Sequence, residues 1–258
     1  MSNKETIQTW TEDGVGVIQL NRPKVLNALN RKMVIEILQT MEEWDHDDSV
    51  SVMIVTGNAK VFAAGADIAE MADDDAISLE LLNQFAEWDR LAWVKKPIIA
   101  AVNGYCLGGA FELALSCDLI VAGENAQFGF PEVNLGVMPG AGGTVRLTKL
   151  MGRAKALEWL WLGEYMTAKY ANENGVVNRV VAPELVFEEA MKLARKIAKQ
   201  APLSVRMIKE SVNKSVDHSV YEAMQFERKN FYMLFASEDQ KEGMKAFVEK
   251  RKPQFKGK

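Results

Sequence analysis

An α/β core followed by a region of helices alone is the fold class the sequence predicts, on three observations. Short apolar runs recur at 16–20, 52–55, 97–102 and 118–122, separated by stretches with helical spacing. Most of these runs are continuous rather than alternating, as strands of a parallel sheet buried on both faces read. After about residue 185 the strand-like runs stop, and only the three-to-four-residue periodicity of helices remains.

Each element has a local reason. The strand at 16–20 is stopped by Asn21-Arg22-Pro23. Met33, Val34, Ile37, Leu38, Met41 and Trp44 place one buried face on a helix over 30–44, and Asp45, Asp47 and Asp48 end it. Val52-Met53-Ile54-Val55 is a buried strand closed by Thr56-Gly57, and the small-residue loop Ala63-Ala64-Gly65-Ala66-Asp67 follows. Asp73-Asp74-Asp75 reads as a solvated loop, and the spacing beyond it predicts one long amphipathic helix from Ile77 to Trp93, stopped near Pro97. The strand at 97–102 turns at Asn103-Gly104 into a helix near Gly108, and 118–122 is the next strand. Helices are expected near 185–199, 203–215, 219–235 and 239–250, with Pro183 and Pro202 as start signals. The division expected is an α/β core over 1–185 and a helical region over 186–258, with no low-complexity linker between them.

Composition narrows the function classes. The 258 residues are 48% hydrophobic and 26% charged, an ordinary globular balance. Lys and Arg number 31 against 35 Asp and Glu, so the net charge of -4 argues against a nucleic-acid partner. No stretch approaches the ~18 apolar residues of a membrane helix. Cys106 and Cys117 form neither a disulfide framework nor a CxxC motif, and His46 and His218 have no HExxH-like spacing, which disfavours a metal site. Met1 to Thr6 lacks an apolar targeting core, so the cytoplasm is the expected address.

Four segments rich in small residues stand out, three of them with a carboxylate. In Phe62-Ala63-Ala64-Gly65-Ala66-Asp67-Ile68, small side chains let a ligand approach free backbone amides; a tight turn is the plainer alternative. In Asn103-Gly104-Tyr105-Cys106-Leu107-Gly108-Gly109-Ala110-Phe111-Glu112, a strand passes through glycines into a helix without matching either usual nucleotide-phosphate motif. Glu112 sits there among Ala, Phe and Leu, where an ionised carboxylate costs several kcal/mol unless it is paired or hydrogen-bonded, so it is catalytic, part of a buried salt bridge, or a cap on nearby amides. Glu132 lies in Phe128-Gly129-Phe130-Pro131-Glu132-Val133, surroundings that raise a carboxyl pKa by desolvation if they close over it. Pro139-Gly140-Ala141-Gly142-Gly143-Thr144 reads as a loop into another helix. Two carboxyls in apolar settings and two amide-exposing loops suit proton transfer beside a thioester, through a stabilised oxyanion. No Ser–His–Asp set accompanies them.

In these residues the chain resembles the enoyl-CoA hydratase (crotonase) family. The resemblance runs through Asn21-Arg22-Pro23-Lys24-Val25-Leu26-Asn27-Ala28-Leu29, Ala63-Ala64-Gly65-Ala66-Asp67-Ile68 and Gly108-Gly109-Ala110-Phe111-Glu112-Leu113-Ala114. It continues through Phe130-Pro131-Glu132-Val133-Asn134-Leu135-Gly136, Pro139-Gly140-Ala141-Gly142-Gly143-Thr144 and Glu242-Gly243-Met244-Lys245-Ala246-Phe247-Val248-Glu249-Lys250-Arg251, so nearly the whole chain is covered. It implies a crotonase-like spiral of ββα units with a C-terminal helical region used for assembly into a homo-hexamer, a dimer of trimers. It also implies Glu112 and Glu132 as the catalytic pair, and the amides of Ala66 and Gly109 as the oxyanion hole. Contacts to coenzyme A are implied for Lys24, Leu26, Ala64, Ala66, Asp67, Ile68 and Gly109, and Gly140 would seat the reacting water. Many relatives carry a third glycine and a cysteine where this chain has Ala110 and Phe111, which leaves the proposed donors in place.

The activity so implied is reversible syn addition of water to a trans-2-enoyl-CoA, giving a 3-hydroxyacyl-CoA, with no cofactor beyond the coenzyme A carried by the substrate. An enoyl-CoA isomerase, a hydratase of ring degradation and a non-catalytic RNA-binding relative are the alternatives, the last disfavoured by charge. Chain-length preference would rest on pocket walls that include 71–93. The basic tail residues Lys245, Lys250, Arg251, Lys252, Lys256 and Lys258 read either as a solvated end or, by resemblance, as contacts to the phosphates of a neighbouring subunit's ligand.

Overall fold

The runs at 52–55, 97–102 and 118–122 each open a strand–strand–helix unit, and repetition of that unit builds the fold. A computed structural model describes residues 4–258. β1 (Ile7–Glu12) and β2 (Val15–Leu20) form an antiparallel hairpin, followed by α1 (Arg31–Asp45). The first unit is β3 (Val52–Thr56), β4 (Val61–Ala63) and α2 (Ile68–Met71), extended by α3 (Ala76–Leu82) and α4 (Ala86–Arg90). The second is β5 (Ile98–Val102), β6 (Tyr105–Leu107) and α5 (Gly109–Ser116). The third is β7 (Leu119–Gly123), β8 (Gln127–Gly129) and α6 (Gly143–Met151). Beyond it come α7 (Arg153–Leu162), β9 (Tyr165–Thr167), α8 (Ala168–Glu173) and β10 (Arg179–Val181). Four helices end the chain: α9 (Val186–Ala198), α10 (Pro202–Ser215), α11 (Val220–Leu234) and α12 (Glu238–Val248).

The first strand of each unit enters one sheet and the second strand enters another. The larger sheet runs β1-β2-β3-β5-β7-β10 and the smaller β4-β6-β8-β9. From β2 to β10 the larger sheet is parallel, with Ile54 opposite Ile99 and Ala100 opposite Ile120. The chain therefore climbs as the spiral of ββα units that the resemblance implies.

Period-two alternation divides the larger sheet between two apolar layers. Ile18, Met53, Val55, Ala100 and Ile120 face inward with α1 and the second sheet. Val17, Val52, Ile54, Ile99 and Val121 face the other way, where Val186, Ala190, Met191 and Ala194 of α9 cover them. This moves the end of the core. α9 is a layer of the α/β unit, so the core runs through Ala198 rather than stopping at 185. On α10 and α11, by contrast, no residue is fully buried within the chain.

The single helix expected from Ile77 to Trp93 is three pieces. Asn83 adopts a left-handed conformation (φ 46°) and its amide closes back on Leu79, which ends α3. After α4, Leu91–Trp93 tightens into a 3-10 turn. The apolar spacing was real, but Asn tolerates positive φ better than most residues and breaks the helix there. The second strand of each unit gives no periodic signal in the sequence, because three residues are too few to show a period. Among the described residues, no helix is long and apolar enough to cross a membrane.

Candidate active site

The smaller sheet assembles the site by aligning three strand ends. Ala63 of β4 pairs with Cys106 of β6, and Leu107 of β6 pairs with Gly129 of β8. The segments that leave these ends, starting at Ala64, Gly108 and Phe130, are thereby brought side by side. Gly108 N–H donates to Gly129 O at 2.9 Å. A Cβ on Gly65 (φ 116°) would lie 3.2 Å from Leu107 O, so the first two segments touch along their backbones.

Two amides are left free at this junction. Ala66 forms a parallel bridge with Leu29, in which Leu29 N–H donates to Gly65 O (2.7 Å) and Asp67 N–H to Leu29 O (2.9 Å). A parallel bridge uses the groups on either side of its central residue, so the Ala66 N–H points away from Leu29. Gly109 is the first residue of α5, where amides have no partner within the helix. Among the described residues neither amide makes a backbone hydrogen bond within the chain. A Cβ on Gly109 would stand 3.6 Å from Ala66 N, so the two residues flank one gap at the positive end of α5.

Glu112, one turn into α5, is 3% exposed. Its Oε1 accepts from the amides of Ala141 and Gly143, each at 2.7 Å. Burial raises its carboxyl above the ordinary range, while those two amides and the half-buried Arg146 of α6 pull the other way. The carboxylate is thus oriented on one oxygen, leaving Oε2 for other partners.

Glu132 stands on the 3-10 turn Pro131–Leu135, started by Pro131. Its Oε2 is buried without a hydrogen-bond partner among the described residues. Burial pushes this carboxyl up to about 7, and the neighbouring Glu112 carboxylate adds to the rise. Gly108 joins the two acids. It has φ 50°, its carbonyl accepts from Glu112 N–H at 3.0 Å, and a Cβ there would lie 2.8 Å from Glu132 Oε1.

The other expected site residues surround this centre less uniformly. Lys24 is exposed on the turn Pro23–Val25, and Leu26 and Ile68 are 53% and 51% exposed. Leu26 and Asn27 both have positive φ, and Asn27 is pinned by Arg22 N–H to its Oδ1 and by its Nδ2 to Phe62 O. Ala64 N–H is already donated to Leu26 O, so that amide is not free for a ligand. Asp67 gives its carboxylate to Arg22 (2.9 Å), and Arg22 also donates to Ala28 O. Asp67 therefore ties down the loop that carries Ala66. Gly140 is exposed, next to the amide of Ala141 that holds Glu112.

Sequence reasoning named both acids but missed what holds them. Gly143, which donates to Glu112, reads in the sequence only as part of a loop into a helix, and Gly108 as one glycine among several. The signals were present: Gly142 and Gly143 open α6, where amides are free, and a buried carboxylate needs donors. In the basic tail, Arg251 is engaged by Glu242 and Glu249, while the Lys256 and Gly257 amides donate to the buried Asp239. Among the described residues, no three His, Cys, Asp or Glu side chains cluster as a metal site requires.

Comparison with known proteins gives a consistent result. The sequence profile described as "Enoyl-CoA hydratase/isomerase" matches residues 10–258. A relative from Rhizobium meliloti, named "Probable enoyl-CoA hydratase", is 47% identical over 98% of each chain. "Enoyl-CoA hydratase, mitochondrial" from Pongo abelii is 46% identical over 94% of this chain and 83% of its own. "2,3-dehydroadipyl-CoA hydratase" from Escherichia coli is 44% identical over 93% of this chain and 94% of its own. A crystal structure from Geobacillus kaustophilus, named "Enoyl-CoA Hydrates Subunit I", superposes with a TM-score of 0.98 at 64% identity, covering 100% of both chains.

Proposed function

We propose, from the premise that the chain belongs to the enoyl-CoA hydratase/isomerase family, that it is an enoyl-CoA hydratase. It adds water reversibly and syn across the double bond of a trans-2-enoyl-CoA. One observation carries this reading beyond the family: two carboxyls, Glu112 and Glu132, and two free amides, Ala66 and Gly109, converge where three strand ends meet.

In the mechanism the thioester oxygen accepts from the Ala66 and Gly109 amides. Glu112, held by Ala141 and Gly143, takes a proton from water as the water oxygen bonds to C3. The C2=C3 electron pair moves toward the thioester, and the resulting enolate takes a proton at C2 from Glu132. With a carboxyl pushed to about 7, Glu132 retains a proton near neutrality. The reaction leaves the pair with one proton, as it began, now on Glu112; its return to Glu132 resets the site. Each oxyanion donor is worth roughly 2.7–4 kcal/mol of transition-state stabilisation. Coenzyme A arrives as part of the substrate, and no separate cofactor enters these steps.

The proposed assembly is a homo-hexamer of paired trimers, in line with the resemblance. Its support is the apolar surface that the C-terminal helices leave uncovered, including Tyr221 and Tyr232 on α11 and Phe247 on α12. A partner surface of this kind is what such patches mark. The activity is tested with crotonyl-CoA by loss of the conjugated thioester absorbance. Turnover to 3-hydroxybutyryl-CoA is expected, and no loss of absorbance would refute the reading.

A further inference from the structure

We propose that Phe85 sets the upper limit on acyl-chain length, an inference that rests on the hydratase reading. With the thioester oxygen between Ala66 and Gly109 and C3 beside Glu112, an acyl tail that continues past Glu112 meets the backbone that holds it. That backbone is Gly140 to Gly143, with Ala141 and Gly143 donating to Glu112 Oε1. Over Gly140 stands the tip of one aromatic ring. A Cβ on Gly140 would meet Phe85 Cζ at 2.8 Å, with Cε1 at 3.2 Å and Cε2 at 3.3 Å. Phe85 thus approaches end-on and covers the backbone one residue from the amide that orients the base.

Phe85 owes this place to the break at Asn83. On an unbroken helix it would share the periodic face that Trp88 and Leu91 bury; instead it precedes α4 as the N-cap residue. The backbone on either side is anchored. Gln84 accepts from Arg31 Nε at 2.9 Å, and Trp88 and Leu91 pack with Leu29, Val34, Leu38 and Leu113. The Phe85 side chain belongs to neither apolar core cluster and stays 40% exposed. A ring held by fixed backbone over a catalytic loop, yet not used in the core, is placed to stop a chain. In a hydrophobic pocket, one methylene more or less changes discrimination by roughly 10–200-fold.

The test compares kcat/KM for crotonyl-, hexenoyl- and decenoyl-CoA in the wild type, Phe85→Ala, Phe85→Trp and the control Leu81→Ala on the outer side of α3. Phe85→Ala is expected to raise the decenoyl-to-crotonyl ratio by about tenfold or more. Phe85→Trp is expected to lower the hexenoyl-to-crotonyl ratio, and Leu81→Ala to move neither. Competitive inhibition by decanoyl-CoA against butyryl-CoA gives a second readout that does not depend on turnover, and the same tightening toward the longer ligand is expected for Phe85→Ala. Ratios equal to wild type in both Phe85 variants, or an equal shift from Leu81→Ala, would overturn the assignment while leaving the hydratase reading in place. A wild type inactive on every thioester would overturn both.

Discussion

Gly108 and Glu132 occupy adjoining space that a single added carbon would fill: a Cβ on Gly108 would stand 2.8 Å from Glu132 Oε1. Gly108 also has φ 50°, which side chains resist. Gly108→Ala is therefore expected to displace both the acid and the adjoining Gly109 amide. Crotonyl-CoA hydration should fall by ~10²-fold or more, the scale of losing one oxyanion donor. Far-UV circular dichroism should be retained, since the clash is confined to the site. Hydration at the wild-type rate would show that Gly108 does not constrain the catalytic geometry.

The pair of acids predicts a pH profile with an internal check. Hydration starts with one proton on Glu132 and dehydration starts with one on Glu112, so both directions need the singly protonated pair. kcat/KM should fall on the alkaline side as the pair loses that proton, with an apparent value near 7. On the acid side it should fall as the second carboxyl protonates. The hydration equilibrium takes up no net proton, so the profiles for crotonyl-CoA and 3-hydroxybutyryl-CoA should have the same limbs. A flat profile through neutrality would contradict the assignment of Glu132 as proton donor.

Stability follows from the same carboxyl with a defined sign. Its folded value of about 7 exceeds the ordinary 4.5, so the folded state binds more protons between those values. Its contribution is fully present below pH 4.5 and is lost as pH rises toward and through 7. The difference amounts to roughly 3 kcal/mol at most. Glu132→Gln should accordingly raise the melting temperature relative to wild type by several degrees more at pH 8 than at pH 5. Equal differences at the two pH values would show that burial does not perturb this group.

The Arg22–Asp67 pair, 2.9 Å apart, fastens the loop that presents the Ala66 amide. Asp67→Asn keeps the size but removes the charge. The expected result is a kcat lowered by tenfold or more with a smaller change in KM, because a displacement of about 1 Å in a catalytic group can cost 10²-fold. Were Asp67 instead a direct contact to substrate, KM would carry the loss.

Much of the architecture was legible because burial leaves a pattern. Met53 and Val55 face one layer and Val52 and Ile54 the other, which is why the run read as continuous. Glu112 and Glu132 stood out because acids among Phe, Leu and Ala need an explanation. The rest lay in backbone geometry, which residue types signal weakly. Nothing in Tyr105-Cys106-Leu107 announces a strand that aligns two loops, and Asn83 looks like any surface Asn. The donors to Glu112 are main-chain amides of Ala141 and Gly143, whose side chains carry no trace of the role. The sequence places α9 with the helical region over 186–258 because one apolar face looks the same whether it covers a sheet or a partner.

The most direct measurement is hydration of trans-crotonyl-CoA in D2O, with the product examined by mass and NMR for wild type and Glu132→Gln. Wild type should give 3-hydroxybutyryl-CoA with one deuterium at C2 on the face that received the oxygen, and Glu132→Gln should form it about 10²–10⁴ times more slowly. Deuterium on the opposite face, or an undiminished rate in Glu132→Gln, would contradict the delivery of water and proton by Glu112 and Glu132 together.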